Sequence, residues 1–327
     1  MELGSDDEGR RLDRVLRKAL KSLPLSAIHR ALRKGEIRVN GQKRAPEYRC
    51  RQGERIEGKI LISGEVKSTL SNADPTTTHV EASNPLWIVH EDDSLLFLNK
   101  PLGQLVHGST RSLEASVRSY LEGKLPPSVS FVPGPLHRLD RNTSGLLCFS
   151  KSLEGAIRFS TALREGKIGK TYIALLEGRL EGRHRWDDML LRSDGRKSQV
   201  VDRNGSGYSS AKAKAASMDI VPLAVQKNLS LAAIRLHSGR THQIRVQSAY
   251  HGFPLAGDVK YGAGRRAFPY LLHAFRLSFS QTLYSGLPQS LEAPIHKEFL
   301  EIIENTFPFA AEEVYSIVRK SIFQEAD

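Results

Sequence analysis

Residues Pro133 to Ser152 read PGPLHRLDRNTSGLLCFSKS. The prolines and Gly134 punctuate a loop, and a carboxylate, Asp140, follows in it between Arg138 and Arg141. Then comes an apolar run, Leu146 to Ser150, of strand length. Ser152 stands where a helix N-cap belongs, ahead of Leu153, Ile157 and Leu163 at helical spacing, so a helix is expected over Leu153 to Leu163. A polar loop feeding a buried strand and then a helix is the unit around which the fold is read.

Outward from it, strands are expected at Trp87–His90, Leu95–Asn99, Tyr172–Leu176 and Leu229–Leu236, with fewer helices between them. No regular β-α-β alternation runs through residues 86–310. The expected fold is therefore α+β, with a mixed, largely antiparallel sheet and flanking helices. Residues 61–85 turn to Ser, Thr, Asn, Asp and Pro without periodicity, a linker composition. Residues 11–60 read as a separate small α/β module. Leu12, Val15, Leu16, Ala19 and Leu20 mark one helix, and Pro24 with Ser26 opens a second through Ile28, Ala31 and Leu32. Gly35 stops it, and a short strand ending at Val39 meets the turn pair Asn40-Gly41.

Charge singles out that module. The chain has 48 Lys/Arg against 36 Asp/Glu, a net of +12 over 327 residues. Arg11 to Lys59 holds 15 basic and 5 acidic residues, so it carries +10 of that excess. Arg14, Arg17, Lys18, Arg30, Arg33 and Lys34 fall on the outer faces of its two helices. A basic run is often only a solvated face, but clustering on this scale points to a polyanion partner. A membrane surface would want exposed Trp or Phe, and Arg11 to Lys59 has neither. No apolar run approaches the about 18 residues of a membrane span. The acidic first ten residues do not resemble a secretory signal. Cys50 and Cys148 lie far apart without metal-type spacing. A cytoplasmic monomer is expected.

Three further stretches are too polar, or too oddly placed, for plain core. GKTYIALLEG, Gly169 to Gly178, starts an apolar strand with Tyr172. Such a tyrosine is commonly a core or rim residue, and it is also a flat ring on which a base can stack. LHSGRTHQIRVQSAYHGFPLAGDVKYG, Leu236 to Gly262, runs from a strand into a helix that Thr241 is expected to cap, with Arg245 on the same face as His242. FLNKPLGQLVHG, Phe97 to Gly108, takes a strand into a tight Lys-Pro turn. A lone aspartate in a loop usually caps backbone. The arginines flanking Asp140 favour its ionised form and would draw a phosphate backbone towards it.

RLDRVLRKAL, SAIHRALRKGEIRVNG and the closing GERI resemble the S4 RNA-binding domain over about fifty residues. HRLDRNTSG, GKTY, SGRTHQIR, GDVKYG and NKPLGQLVH, in this order, resemble the bacterial RluA-type pseudouridine synthases over about residues 86 to 300. The resemblance implies isomerisation of uridine to pseudouridine in structured RNA, with Asp140 as catalytic aspartate, Tyr172 as the stacking tyrosine and Arg245 as the basic partner of Asp140. It places Arg138 beside the displaced nucleotide and Leu272, in LLHAFRL, on the pocket wall. Arg141 and Arg240 join the RNA-binding set. Longer family members that carry the S4-like module act on large-subunit ribosomal RNA, so ribosomal RNA is the expected partner. After HQIRV the family commonly has His, whereas this chain has Gln247.

The reaction oxidises and hydrolyses nothing, so neither a cofactor nor a metal is expected. No P-loop, dinucleotide fingerprint or cysteine cage occurs. His137, His237, His242, His251 and His273 include no pair four apart, and structural hydrogen bonds are expected for most of them. A kinase reading of HRLD fails because Leu139 separates Arg138 from Asp140 and no DFG follows. Two alternatives remain open: a non-catalytic RNA-binding or ribosome-assembly factor, and a synthase acting on transfer RNA.

Overall fold

A computed structural model describes residues 1–20, 22–58, 85–126, 128–192, 197–201, 213–280, 286–307 and 311–323. Apart from residue 85, the expected linker lies outside the described residues.

The N-terminal module consists of α1 (Leu12–Ala19), α2 (Leu25–Lys34), β1 (Arg38–Val39) and β2 (Ile56–Glu57). Leu12, Val15 and Leu16 from α1 and Ile28 and Leu32 from α2 are completely buried against Ile37, Val39 and Ile56. Each such side chain contributes about 1.5–3 kcal/mol, which lets so small a unit hold together. Gly35 ends α2 in the left-handed region at φ 73°, the conformation that suits glycine best at a helix C-terminus. Asn40 and Gly41 both have positive φ, as the expected tight turn requires, and β1 pairs antiparallel with β2. The small core reaches back to Leu3, and the Met1 amine donates to the Ile56 carbonyl at 2.8 Å.

The larger body is built on a ten-stranded sheet, in the order β3 (Ile88–Glu91), β4 (Leu95–Lys100), β5 (Thr143–Ser150), β11 (Leu272–Phe279), β6 (Ile168–Glu177), β10 (Leu229–Leu236), β9 (Lys214–Gln226), β7 (His184–Arg192) and β8 (Ser198–Val201). β12 (Ser290–Glu292) pairs with the far half of β11. Among the described residues every pairing is antiparallel except β5 with β11. The α+β architecture is thus as expected.

The central strands are buried on both faces. On β6, Tyr172, Ala174 and Leu176 join one core, and Ile173 and Leu175 join another. The first face is covered by α3 (Leu113–Leu121), through Leu113, Val117 and Leu121. The opposite face packs on α4 (Leu153–Arg164), α6 (Lys297–Thr306) and α7 (Ala311–Phe323), through Phe159, Phe299, Ile303, Val314 and Val318. The Ser152 hydroxyl accepts from the Gly155 amide at 3.0 Å, the expected cap of α4.

Gly145 makes the parallel β5–β11 junction possible. Its φ is +104°, and a Cβ there would stand 2.3 Å from the Ala274 carbonyl oxygen. Any side chain would push the two strands apart just after the loop that holds Asp140.

Two neighbouring carboxylates fasten the module to the body. Asp7 is wholly buried and accepts from the amides of Val129 and Ser130, each at 3.0 Å, and from the Ser130 hydroxyl. Asp6 accepts from the Leu153 amide at 2.8 Å, at the start of α4, where helix N–H groups lack partners. Burial, set against that hydrogen bond, leaves the Asp6 carboxyl above its ordinary value.

Candidate active site

Asp140 lies in the loop leading into β5, the loop that the motif HRLDRNTSG encodes. Its backbone carbonyl closes a turn by accepting from the Thr143 amide at 3.1 Å. Lys100, at the end of β4, fixes the loop from beneath. This lysine is fully buried, and its Nζ donates to the carbonyls of Arg141 at 3.0 Å and Pro101 at 2.8 Å. Burial brings its ammonium down to about 7, against a smaller opposing pull from Asp140. Arg141 Nε donates to the Gly103 carbonyl at 2.9 Å, so the Lys-Pro turn and the Asp140 loop are tied from both sides.

From the other side comes α5 (Gln243–Tyr250), which brings Arg245 to the carboxylate. Arg245 Nη1 stands 3.2 Å from Asp140 Oδ2. Its Nε and Nη2 donate to the two oxygens of Asp258 at 2.6 and 2.8 Å, a bidentate fork. Burial is the largest single influence and would lower the guanidinium, but the hydrogen bonds to Asp258 and the charges of Tyr270, Asp258 and Asp140 together outweigh it, so Arg245 is held above its ordinary value. The rings of Tyr270 and Tyr261 lie 4.3 and 4.9 Å from its central carbon. The guanidinium is fixed in direction as well as charge.

The helix does not begin as expected. Thr241 makes no cap; the N-cap is His242, in the left-handed region at φ 56° and ψ 25°, without a side-chain cap bond. Histidine visits that region more readily than most side chains. The turn sends the imidazole back towards the loop, where Nε2 comes within 3.6 Å of Asp140 Oδ2.

Between these groups opens a cleft of about 390 Å³. Asp140, His242 and Arg245 share its lining with Tyr172, Leu236, Ile244 and Leu272, and Arg138 and Arg240 also line it. A second hollow of about 710 Å³ continues past Val106, His107, Arg141 and Tyr270. Tyr172 is 8% exposed, and burial raises its hydroxyl above the ordinary value. An aromatic ring, aliphatic walls, one carboxylate and nearby arginines suit a planar base with a phosphate close by. Among the described residues no group of three or more His, Cys, Asp or Glu is arranged to hold a metal ion.

Six of the residues singled out from sequence meet in this cleft: Asp140, Tyr172, Arg245, Arg138, Arg240 and Leu272. Arg141 lines the adjoining hollow. Arg14, Arg17 and Lys18 line a shallow depression on α1 with Arg10. Arg30, Arg33 and Lys34 are exposed on α2, with Lys34 Nζ 3.7 Å from Glu36. Gln247 is fully buried and donates to the Trp186 carbonyl and the Asp188 carboxylate, a packing role away from Asp140. His137, His237, His251 and His273 each make a hydrogen bond within the fold. The sequence pattern alone gives Lys100, Asp258, Tyr261, Tyr270 and His242 no place in the reaction. The stretches NKPLGQLVH and GDVKYG held the signal for three of them.

Comparison with known proteins gives a consistent result. Residues 94–250 match the family model described as RNA pseudouridylate synthase, and residues 10–56 match the S4 domain. The chain is 32% identical to ribosomal large subunit pseudouridine synthase C of Salmonella typhi, covering 92% of this chain and 94% of that protein. The Escherichia coli K12 protein of the same name is also 32% identical, over 89% of this chain and 91% of its own length. Among solved structures, human RNA pseudouridylate synthase domain containing 1 shares the fold, with a TM-score of 0.57 and 24% identity over 74% of this chain and 98% of that one.

Proposed function

The chain belongs to the RNA pseudouridylate synthase family and isomerises uridine in RNA; from that premise we propose that Asp140 carries the reaction and that large-subunit ribosomal RNA is its substrate. The observation that carries the first part is the Arg245 fork, anchored on Asp258 and aimed at Asp140 on the lining of the cleft. The second part is supported by the S4 match at residues 10–56 and by the large-subunit enzymes that the chain resembles over most of its length.

The isomerisation breaks the bond between C1′ and N1, turns the uracil over and joins C1′ to C5. The proton lost from C5 is balanced by one gained at N1. An ionised carboxylate facing the ribose serves this either as a nucleophile at the sugar or as a base towards a sugar proton. Arg245 orients Asp140 for both. Reaching a uridine within folded RNA costs about a few kcal/mol of unstacking. Stacking on Tyr172, with Arg138 beside the vacated position, offsets that cost, and Arg240 holds a neighbouring phosphate. Leu272 confines the base.

Residues 11–60 act as the S4-like grip, 61–85 as a linker and 86–310 as the catalytic domain. A monomer that works in the cytoplasm is part of the same proposal. The test is tritium release from RNA labelled at uridine C5, with large-subunit ribosomal RNA and transfer RNA compared. Release from ribosomal RNA alone is expected. Release from transfer RNA alone would overturn the substrate assignment.

A further inference from the structure

His242 is the one cleft histidine whose ring has a fixed direction and whose second nitrogen points at the reacting carboxylate. Its Nδ1 lies 2.8 Å from the Tyr261 hydroxyl. That hydroxyl is buried, and it already accepts the Ser198 amide at 3.1 Å. The buried phenol proton needs an acceptor, and among the described residues Nδ1 is the one within reach, so the hydroxyl donates to it. Burial, with Arg245 and Lys260 nearby, holds the imidazole below its ordinary value despite the pull of Asp140, so the ring is neutral near pH 7. In a neutral ring whose Nδ1 accepts, Nε2 carries the hydrogen.

That N–H faces Asp140 Oδ2 at 3.6 Å, the same oxygen that Arg245 Nη1 approaches at 3.2 Å. Both donors lie on Oδ2, and among the described residues no donor reaches Oδ1. The 3.6 Å separation exceeds a formed hydrogen bond, and such contacts tighten when substrate is bound. The backbone is held in a sparsely populated conformation to make this approach, since His242 sits at φ 56°. Strain of that kind persists where the surroundings enforce it.

We infer that His242 is a positioning residue for the isomerisation: locked by Tyr261, it donates from Nε2 to Asp140 Oδ2, and with Arg245 it leaves Oδ1 as the oxygen that meets the ribose. The inference rests on the reading of Asp140 as the reacting carboxylate, and its test separates the two. His242→Asn keeps the backbone, because asparagine tolerates positive φ, but its short amide stops before Asp140. His242→Gln extends an amide N–H towards the same place. Tyr261→Phe removes the lock while leaving the imidazole.

Single-turnover rates and RNA dissociation constants are measured for these three, for the double variant His242→Asn/Tyr261→Phe, and for Asp140→Ala. His242→Asn is expected to slow the bound-state step by about 10- to 100-fold, as loss of an orienting outer partner typically does, with RNA affinity little changed. His242→Gln recovers part of the rate. Tyr261→Phe slows the wild type but adds nothing to His242→Asn, since the two act through one interaction. A His242→Asn rate within about twofold of wild type, beside an inactive Asp140→Ala, would overturn the inference while sparing the Asp140 reading. Full additivity of the two substitutions would overturn it as well. An active Asp140→Ala enzyme would instead remove the premise.

Discussion

Arg245 grips Asp258 through two nitrogens, at 2.6 and 2.8 Å, and both side chains are almost completely buried. This pair fixes where the third nitrogen points, and the third nitrogen meets Asp140. Removing one member of a buried pair leaves the other charged without a partner, which costs about 3–5 kcal/mol. Asp258→Ala is therefore expected to lower unfolding stability on that scale in denaturant titration. Asp258→Asn, which keeps one acceptor oxygen, should lose less stability and still lower the turnover rate. An Asp258→Ala protein as stable as wild type would contradict the anchoring role.

Tyr172 offers its ring rather than its hydroxyl. Among the described residues no hydrogen-bond partner stands at the hydroxyl, and the ring borders the cleft beside Leu272. Tyr172→Phe is expected to keep RNA affinity, while Tyr172→Ala loses about 1–3 kcal/mol of it, the range for one stacked base. Binding assays at fixed salt measure the difference. Equal losses in both variants would point to the hydroxyl instead.

Lys100 gives the stability of the fold a distinctive pH dependence. In the folded protein it titrates at about 7, whereas its ordinary value is 10.5. Between these values the unfolded chain holds a proton that the folded chain lacks, so this group makes stability rise with pH, by up to about 1.4 kcal/mol per pH unit. Below about 7 both states are charged and the burial penalty is fully present. The stability of wild type relative to Lys100→Met should accordingly increase between pH 7 and about 9.5 in parallel denaturant titrations. A constant difference across that range would show that the ammonium is not depressed.

The exposed basic residues of α1 are expected to act on affinity alone. Replacing Arg14, Arg17 and Lys18 together by Ala should weaken RNA binding and reduce the salt slope by about 0.7–0.9 for each phosphate that is no longer neutralised. The rate on fully bound RNA should stay unchanged. An unaltered salt slope would reassign that face.

How far these features could be read from sequence depended on whether they were local. The Asn40-Gly41 turn, the Gly35 stop and the Ser152 cap each depend on a few adjacent residues, and each stands where the sequence pattern put it. Asp140, Tyr172 and Arg245 could be named because they sit in dense motifs, and the fold brings all three to one cleft. The parallel β5–β11 pairing joins Thr143 to Leu272, a separation that no periodicity reports. Asp258 reaches Arg245 across the turn that follows α5, so helical spacing could not reveal the pair. Composition predicts a Thr241 cap for α5, but the contacts of His242 with Tyr261 and Asp140 accompany a left-handed turn there. β6 extends back to Ile168, beyond the expected Tyr172, because its polar first residues are paired on both sides, Lys170 with Leu236 and Leu277.

The most direct measurement is tritium release from ribosomal RNA labelled at uridine C5, with wild type compared against Asp140→Ala and RNA binding measured alongside. Release that disappears in Asp140→Ala while RNA affinity is kept is the expected result. Continued release by that variant would contradict the assignment of Asp140 as the residue that carries the reaction.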